Sequence, residues 1–183
     1  MQCIICGTNK KKANIKTYNS ISLCPNCLSQ QKSLFNQCFS SKSFFCPECN
    51  EIIQTKIYLG NYDFASNEYL LSKINVSSIL VCGSELKCKF PYKYNYLKLN
   101  LHDCEDDSLL PHIEKSVKFI VDNFSNGIFV HCKAGISRSP SIIIAFLIKS
   151  YKYTYDEAYE YVKSKRQKIK PNDKFISELK KLK

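Results

Sequence analysis

No apolar run in this 183-residue chain is long enough to cross a bilayer. The longest, Ile142 to Ile148, falls far short of the roughly 20 residues a spanning helix needs, so membrane insertion is not expected. No hydrophobic segment follows Met1 either. Met1-Gln2-Cys3 opens a cysteine pattern directly, and no secretory signal is expected. Long internal repeats and low-complexity tracts are also missing, which excludes repeat arrays and compositional linkers. Acidic residues are scarce, 16 against 27 lysines and arginines, for a net charge of +11. Residues 1–50 set six lysines against one acid, Glu48, and the rest of the chain sets 21 basic residues against 15 acids. The densest basic group is Lys163, Lys165, Arg166, Lys168, Lys170 and Lys174. It reads as a solvated helix face, so nucleic acid is not the favoured partner. An intracellular protein, cytoplasmic or nuclear or both, is expected. Its thiols should act as ligands or nucleophiles rather than pair as disulfides. Oligomeric state is not legible.

Cysteine is what the chain has in excess. Seven of the eleven lie within the first 50 residues: Cys3, Cys6, Cys24, Cys27, Cys38, Cys46 and Cys49. Six of these form Cys-x-x-Cys pairs, a spacing that turns both thiolates toward one ion, and two such pairs complete a tetrahedral zinc shell. Cys3 and Cys6 with Cys24 and Cys27 make a good Cys₄ set. Leu28, Leu34 and Phe35 suggest a short helix after it. Cys46 and Cys49 form a third knuckle, either an alternative half-site or part of a second site with Cys38. The competing reading is a redox dithiol or unrelated pairs. Any zinc here would be structural, because nothing in the segment supplies an open coordination position. A metal-binding module over 1–50 and a second domain over 51–183 are expected, with the boundary falling within Glu51 to Lys56.

Beyond that boundary, strand and helix patterns alternate. Strands are expected at about 57–60, 77–82, 94–99 and 127–131, and helices at about 65–74, 108–123, 139–150, 155–166 and 172–182. Asn172-Asp173 after Pro171 reads as an N-cap. The alternation indicates an α/β domain with a central, mostly parallel sheet flanked by helices, and ligands bind such sheets at strand carboxyl ends.

One stretch, His131-Cys132-Lys133-Ala134-Gly135-Ile136-Ser137-Arg138-Ser139, lies between the apolar strand run Gly127–Val130 and the helical run Ser141–Ile148. A strand–loop–helix passage aims backbone N–H groups at one point beside the positive end of a helix, which makes an anion cradle. Cys132 sits at its floor. A helix N-terminus and a cation lower a cysteine pKa, and the five residues between Cys132 and Arg138 let the loop curl back until the guanidinium forks onto two phosphoryl oxygens. The backbone of Lys133, Ala134, Gly135, Ile136 and Ser137 would line the cradle, with Gly135 at the tightest turn. His131 is expected to order the loop and tune the thiolate. Ser139 is placed to donate to Cys132 and ease its later departure.

This loop resembles the signature of the cysteine-dependent protein tyrosine phosphatases, and Ala134-Gly135-Ile136-Ser137-Arg138-Ser139 is most similar to the dual-specificity branch. The resemblance runs from about Ile57 to Leu182. It includes Ile57-Tyr58-Leu59-Gly60 followed by Ala65, then Lys165-Arg166, Ile169, Pro171-Asn172, Phe175 and Leu179. It implies two-step hydrolysis of phosphate esters through a phosphocysteine intermediate, with no metal or other cofactor at the catalytic site. The implied substrate is a phosphorylated protein, on tyrosine and on serine or threonine. An acid must protonate the leaving oxygen. Asp103 is the expected one. It follows the strand-like Tyr94–Leu99 and lies 29 residues before Cys132, and the resembled family places its acid about thirty before the cysteine. Asp106 and Asp107 are rivals that could equally serve the start of the next helix. The competing functions are a phosphatase for RNA 5′ ends or phosphoinositides, and a non-catalytic zinc-finger adaptor that only binds phosphate. Cys82 or Cys88 could trap an oxidised Cys132, although a buried inert thiol fits them better.

Overall fold

The computed structural model describes residues 16–18, 21–23, 48–54 and 56–182, and the chain divides into two units, Met1–Pro47 and Glu48–Lys183. In the first, β1 (Lys16–Tyr18) and β2 (Ile21–Leu23) pair antiparallel, with Thr17 opposite Ser22. The expected ligands Cys3, Cys6, Cys24, Cys27 and Cys46, together with Cys38 and the helix after Cys27, lie outside the described residues. Among the described residues no group of three or more His, Cys, Asp or Glu is placed to hold a metal ion.

The second unit opens with β3 (Cys49–Ile53) and β4 (Ile57–Gly60). Two one-turn helices follow, α1 (Tyr62–Ala65) and α2 (Glu68–Leu71), then β5 (Ser78–Cys82) and β6 (Asn95–Leu99). The chain closes with α3 (Leu110–Asn123), β7 (Ile128–His131), α4 (Arg138–Tyr151), α5 (Tyr155–Lys165) and α6 (Asp173–Leu179). The five strands lie in the order β3-β4-β7-β5-β6. All neighbours are parallel except β3, which runs antiparallel to β4 with a register shift between Glu51 and Ile53. The expected α/β architecture is present, with two differences. One expected helix, 65–74, is two short ones, because Asn61 and Asn67 each cap a fresh start: their side chains accept from Phe64 N (3.0 Å) and Leu70 N (3.1 Å). The other is β3, whose residues the sequence places in the cysteine-rich module and at its boundary.

That strand also carries Cys49. Spacing pairs it with Cys46 as a ligand, but it stands opposite Gly60 inside the larger unit's sheet with 0 % exposure. Burial pushes its thiol well up, and Cys46, the other half of the pair, lies outside the described residues. In this structure Cys49 packs within β3.

Period-two alternation sorts the strands into two faces. Ile57, Leu59, Leu80, Cys82, Leu99, Ile128 and Val130 join a core with residues of α3 to α6. Phe129 and His131 turn the other way, where Phe129 meets Phe64 of α1 at 5.3 Å. Helix α4 buries every residue from Arg138 to Ile148. Each fully buried Ile, Leu or Phe contributes about 1.5–3 kcal/mol, so the start of this helix is firmly held. It begins seven residues after β7 ends (His131 to Arg138), and the candidate site lies in between.

Candidate active site

Six successive carbonyls, Cys132 to Ser137, each have a partner outside the loop's centre. His131 Nδ1 lies 3.2 Å from Cys132 O, and Tyr62 N donates to Lys133 O at 3.0 Å. Arg166 donates from Nη2 to Ala134 O (3.4 Å) and from Nε to Gly135 O (2.8 Å). Lys170 N takes Ile136 O (2.7 Å), and the Ser141 hydroxyl takes Ser137 O (2.8 Å). In a planar trans peptide the N–H points opposite to the preceding C=O. Fastening the carbonyls outward thus turns the amides of Lys133 to Arg138 inward. Gly135 shows this directly, donating to Cys132 Sγ at 3.2 Å. Its φ is +67°, and a Cβ there would sit 2.5 Å from Gly60 O, so only glycine fits this turn. Ser137, the N-cap of α4, makes no side-chain cap bond, and the first-turn amides are left for an anion.

Cys132 is 2 % exposed and lies under this ring. Its sulfur accepts from Gly135 N and from the Ser139 hydroxyl, both at 3.2 Å. Arg138 is 5 % exposed. Its Nη1 donates to Glu85 Oε1 (2.7 Å) and Leu101 O (3.3 Å), and Asp103 Oδ2 lies 3.8 Å from Nε. Asp103 Oδ1 accepts from the Ser137 hydroxyl (2.7 Å) and from Asn172 Nδ2 (3.1 Å). The structure therefore brings Cys132, Arg138, Ser139 and Asp103 together around one loop. Of the two rivals, Asp107 is engaged elsewhere, accepting from His102 N (2.6 Å) and Ser108 N (2.8 Å). An open cleft of about 330 Å³ runs along the loop's outer edge between Asp103, Ile136, Ser137 and Lys170–Asp173.

His131 is 1 % exposed and stacks on Phe129 at 5.6 Å. Burial, aided by the Arg138 charge, lowers its pKa to about 4. It is therefore neutral at pH 7 and orders the loop through Cys132 O. Because the unfolded chain takes up this proton near pH 6.5 and the folded one only near 4, stability falls as pH drops through that window, by about 3 kcal/mol in all. Chemical denaturation between pH 7 and 4 should show this slope, and a His131→Asn variant should lose it.

Sequence reasoning missed three participants. Asn172, expected only as a cap, does cap α6 by accepting from Phe175 N (2.9 Å), and it also holds Asp103. Glu85 stood out in no motif. Arg166 reads in the sequence as part of a solvated lysine face but is 2 % exposed, its Nη1 bonded to Asn50 Oδ1 of β3 and its Nε and Nη2 to the loop. A signal was there to find: only two of the 27 basic side chains are arginines, Arg138 and Arg166, and both touch the loop. Cys82, which burial pushes well above the usual thiol range, packs in the core beside β7. Among the described residues no helix is long and apolar enough to cross a membrane.

Residues 57–183 match the family model for the dual specificity phosphatase catalytic domain. The chain is 36 % identical over 130 residues to Dual specificity protein phosphatase 1 of Arabidopsis thaliana, covering 70 % of this chain and 66 % of that protein. It is 34 % identical over 133 residues to a probable rhodanese domain-containing dual specificity protein phosphatase of Dictyostelium discoideum, covering 72 % and 28 %. It spans 12 % of Drosophila Slingshot, so it corresponds to less than two thirds of these relatives' length. Its fold is similar to that of the human tyrosine phosphatase-like serine/threonine/tyrosine-interacting protein, with a TM-score of 0.67, 27 % identity, and coverage of 73 % of this chain and 93 % of that one.

Proposed function

The chain belongs to the dual specificity phosphatase catalytic domain family, and from that premise we propose that it hydrolyses phosphate monoesters on proteins, at tyrosine and at serine or threonine. The observation that carries this reading is the inward ring of amides over a sulfur that already receives two donors. Cys132 sulfur attacks phosphorus in line, an S–P bond forms, and the ester P–O bond breaks. Arg138 and the ring amides hold the three phosphoryl oxygens as charge shifts among them. Asp103 gives its proton to the leaving oxygen and then takes one from the attacking water. The second displacement breaks the S–P bond and releases inorganic phosphate. The Ser139 hydroxyl, 3.2 Å from sulfur, stabilises the departing thiolate. Family membership favours proteins over RNA ends or phosphoinositides as the ester.

Asp103 supplies the test of the acid step. Asp103→Asn should lower kcat on a phosphotyrosine peptide by about a hundredfold or more, with a smaller loss on aryl phosphates whose phenols are more acidic and need less protonation. An equal loss across that leaving-group series would assign Asp103 a structural role instead, through Ser137 and Asn172.

For the amino-terminal segment the proposal is a structural zinc held by Cys3, Cys6, Cys24 and Cys27, supported by the pair spacing alone. Metal analysis of the purified full chain should find stoichiometric zinc that a Cys3→Ser, Cys6→Ser variant loses. Metal-free protein with unaltered melting would remove the proposal.

A further inference from the structure

We infer that Glu85, in the loop after β5, is a positioning residue for Arg138: it holds one edge of the guanidinium so that the other edge is presented as a two-pronged donor to a phosphoryl group. This rests on the phosphatase reading above and adds a residue to it. Glu85 lies 53 residues from Arg138 in the chain, yet its Oε1 accepts from Nη1 at 2.7 Å. The carbonyl of Leu101 takes the same nitrogen at 3.3 Å. Nη1 is thereby committed on its far side. Arg138 Nε, in contrast, is buried without a hydrogen-bond partner, and the nearest carboxylate oxygen, on Asp103, stands 3.8 Å away. A buried N–H left unpaired is costly, and a phosphoryl oxygen would satisfy it. The guanidinium is planar and rigid, so fixing Nη1 also fixes where Nε and Nη2 point.

The surroundings are shaped for this contact. A Cβ on Gly83 would come within 2.7 Å of Arg138 Nη1 and 2.9 Å of Glu85 Oε2. A side chain at position 83 would thus press on both partners of this contact, and glycine leaves them free to meet. The Arg138 side chain is 6 % exposed, whereas that of Glu85 is 44 % exposed, so water solvates the carboxylate from outside while it reaches inward. Burial works to raise the Glu85 carboxyl, but the hydrogen bond and charge of Arg138, with Glu85's own backbone N–H and the nearby His102, together outweigh it and leave the group below the usual carboxylate range.

A Glu85 series in the full chain tests the inference, with steady-state kinetics on an aryl phosphate, calorimetric titration with inorganic phosphate, and thermal melting. Glu85→Ala should lower kcat about tenfold with KM changed less than about threefold, and should weaken phosphate binding about tenfold. Glu85→Gln, which keeps an acceptor oxygen for Nη1, should recover at least half of the loss. If Glu85 instead competed with phosphate for Arg138, both variants would bind phosphate more tightly and turn over faster. That result overturns the inference, as does an unchanged kcat in Glu85→Ala or a Gln variant no better than Ala. Should Glu85→Ala fail to fold, Glu85→Ser is read by the same criteria. Hydrolysis by the wild-type chain, and its loss in Cys132→Ser, judges the phosphatase reading separately.

Discussion

Replacing Cys132 with serine lowers turnover of phosphopeptides and aryl phosphates by at least about a thousandfold, some 4 kcal/mol of barrier. The reason is local. The ring places donors at sulfur-bonding distance, 3.2 Å from Gly135 N and from the Ser139 hydroxyl, and a serine oxygen is both a weaker acid and a shorter reach. Nothing else in the ring changes. The six outward-fastened carbonyls, Arg138 and the first turn of α4, which has no side-chain cap, all remain, so the variant should still bind inorganic phosphate within severalfold of the wild type. Calorimetric titration beside a kinetic assay separates the two quantities. Loss of binding together with turnover would mean that the substitution had collapsed the loop.

Arg138→Lys gives the second large effect, again a loss of about a thousandfold in kcat. The exchange keeps the charge and removes the geometry. The guanidinium touches Glu85 and Leu101 O with Nη1 and still has Nε unpaired. A lysine ammonium is a single point that can satisfy Glu85 or the phosphoryl group but cannot span both. The guanidinium is also buried, with the side chain 6 % exposed, so water cannot substitute for the lost donors. Steady-state kinetics should show the loss mainly in kcat. A Lys variant with most of the wild-type kcat would mean that charge alone suffices.

Legibility in the sequence followed the range of the contacts. Cys132, Gly135, Arg138 and Ser139 lie within one loop, and their residue types alone specify a cradle with a nucleophile. The parallel strands β4, β5 and β7 were legible because sheets covered on both faces need unbroken apolar runs. Strand β3 was not, since Cys49 also completes a Cys-x-x-Cys pair and Asn50-Glu51 interrupts the apolar pattern. Asn50 is nevertheless buried, where it accepts from Arg166, 116 residues away. Arg166 and Glu85 illustrate the same limit: each acts through a partner brought near only by the sheet order, so local sequence around either one reads as surface. Asp103 was reachable because it follows the strand-like Tyr94–Leu99 and lies 29 residues before Cys132, close to the spacing of the resembled family.

The central claim, that Cys132 accepts the phosphoryl group, is tested most directly by rapid quench of the full chain with a labelled aryl phosphate, followed by mass spectrometry of the peptides. The account predicts an acid-trapped phosphate on the peptide carrying Cys132, formed in a burst and absent from Cys132→Ser. Turnover with no such adduct, or an adduct on another residue, would contradict it.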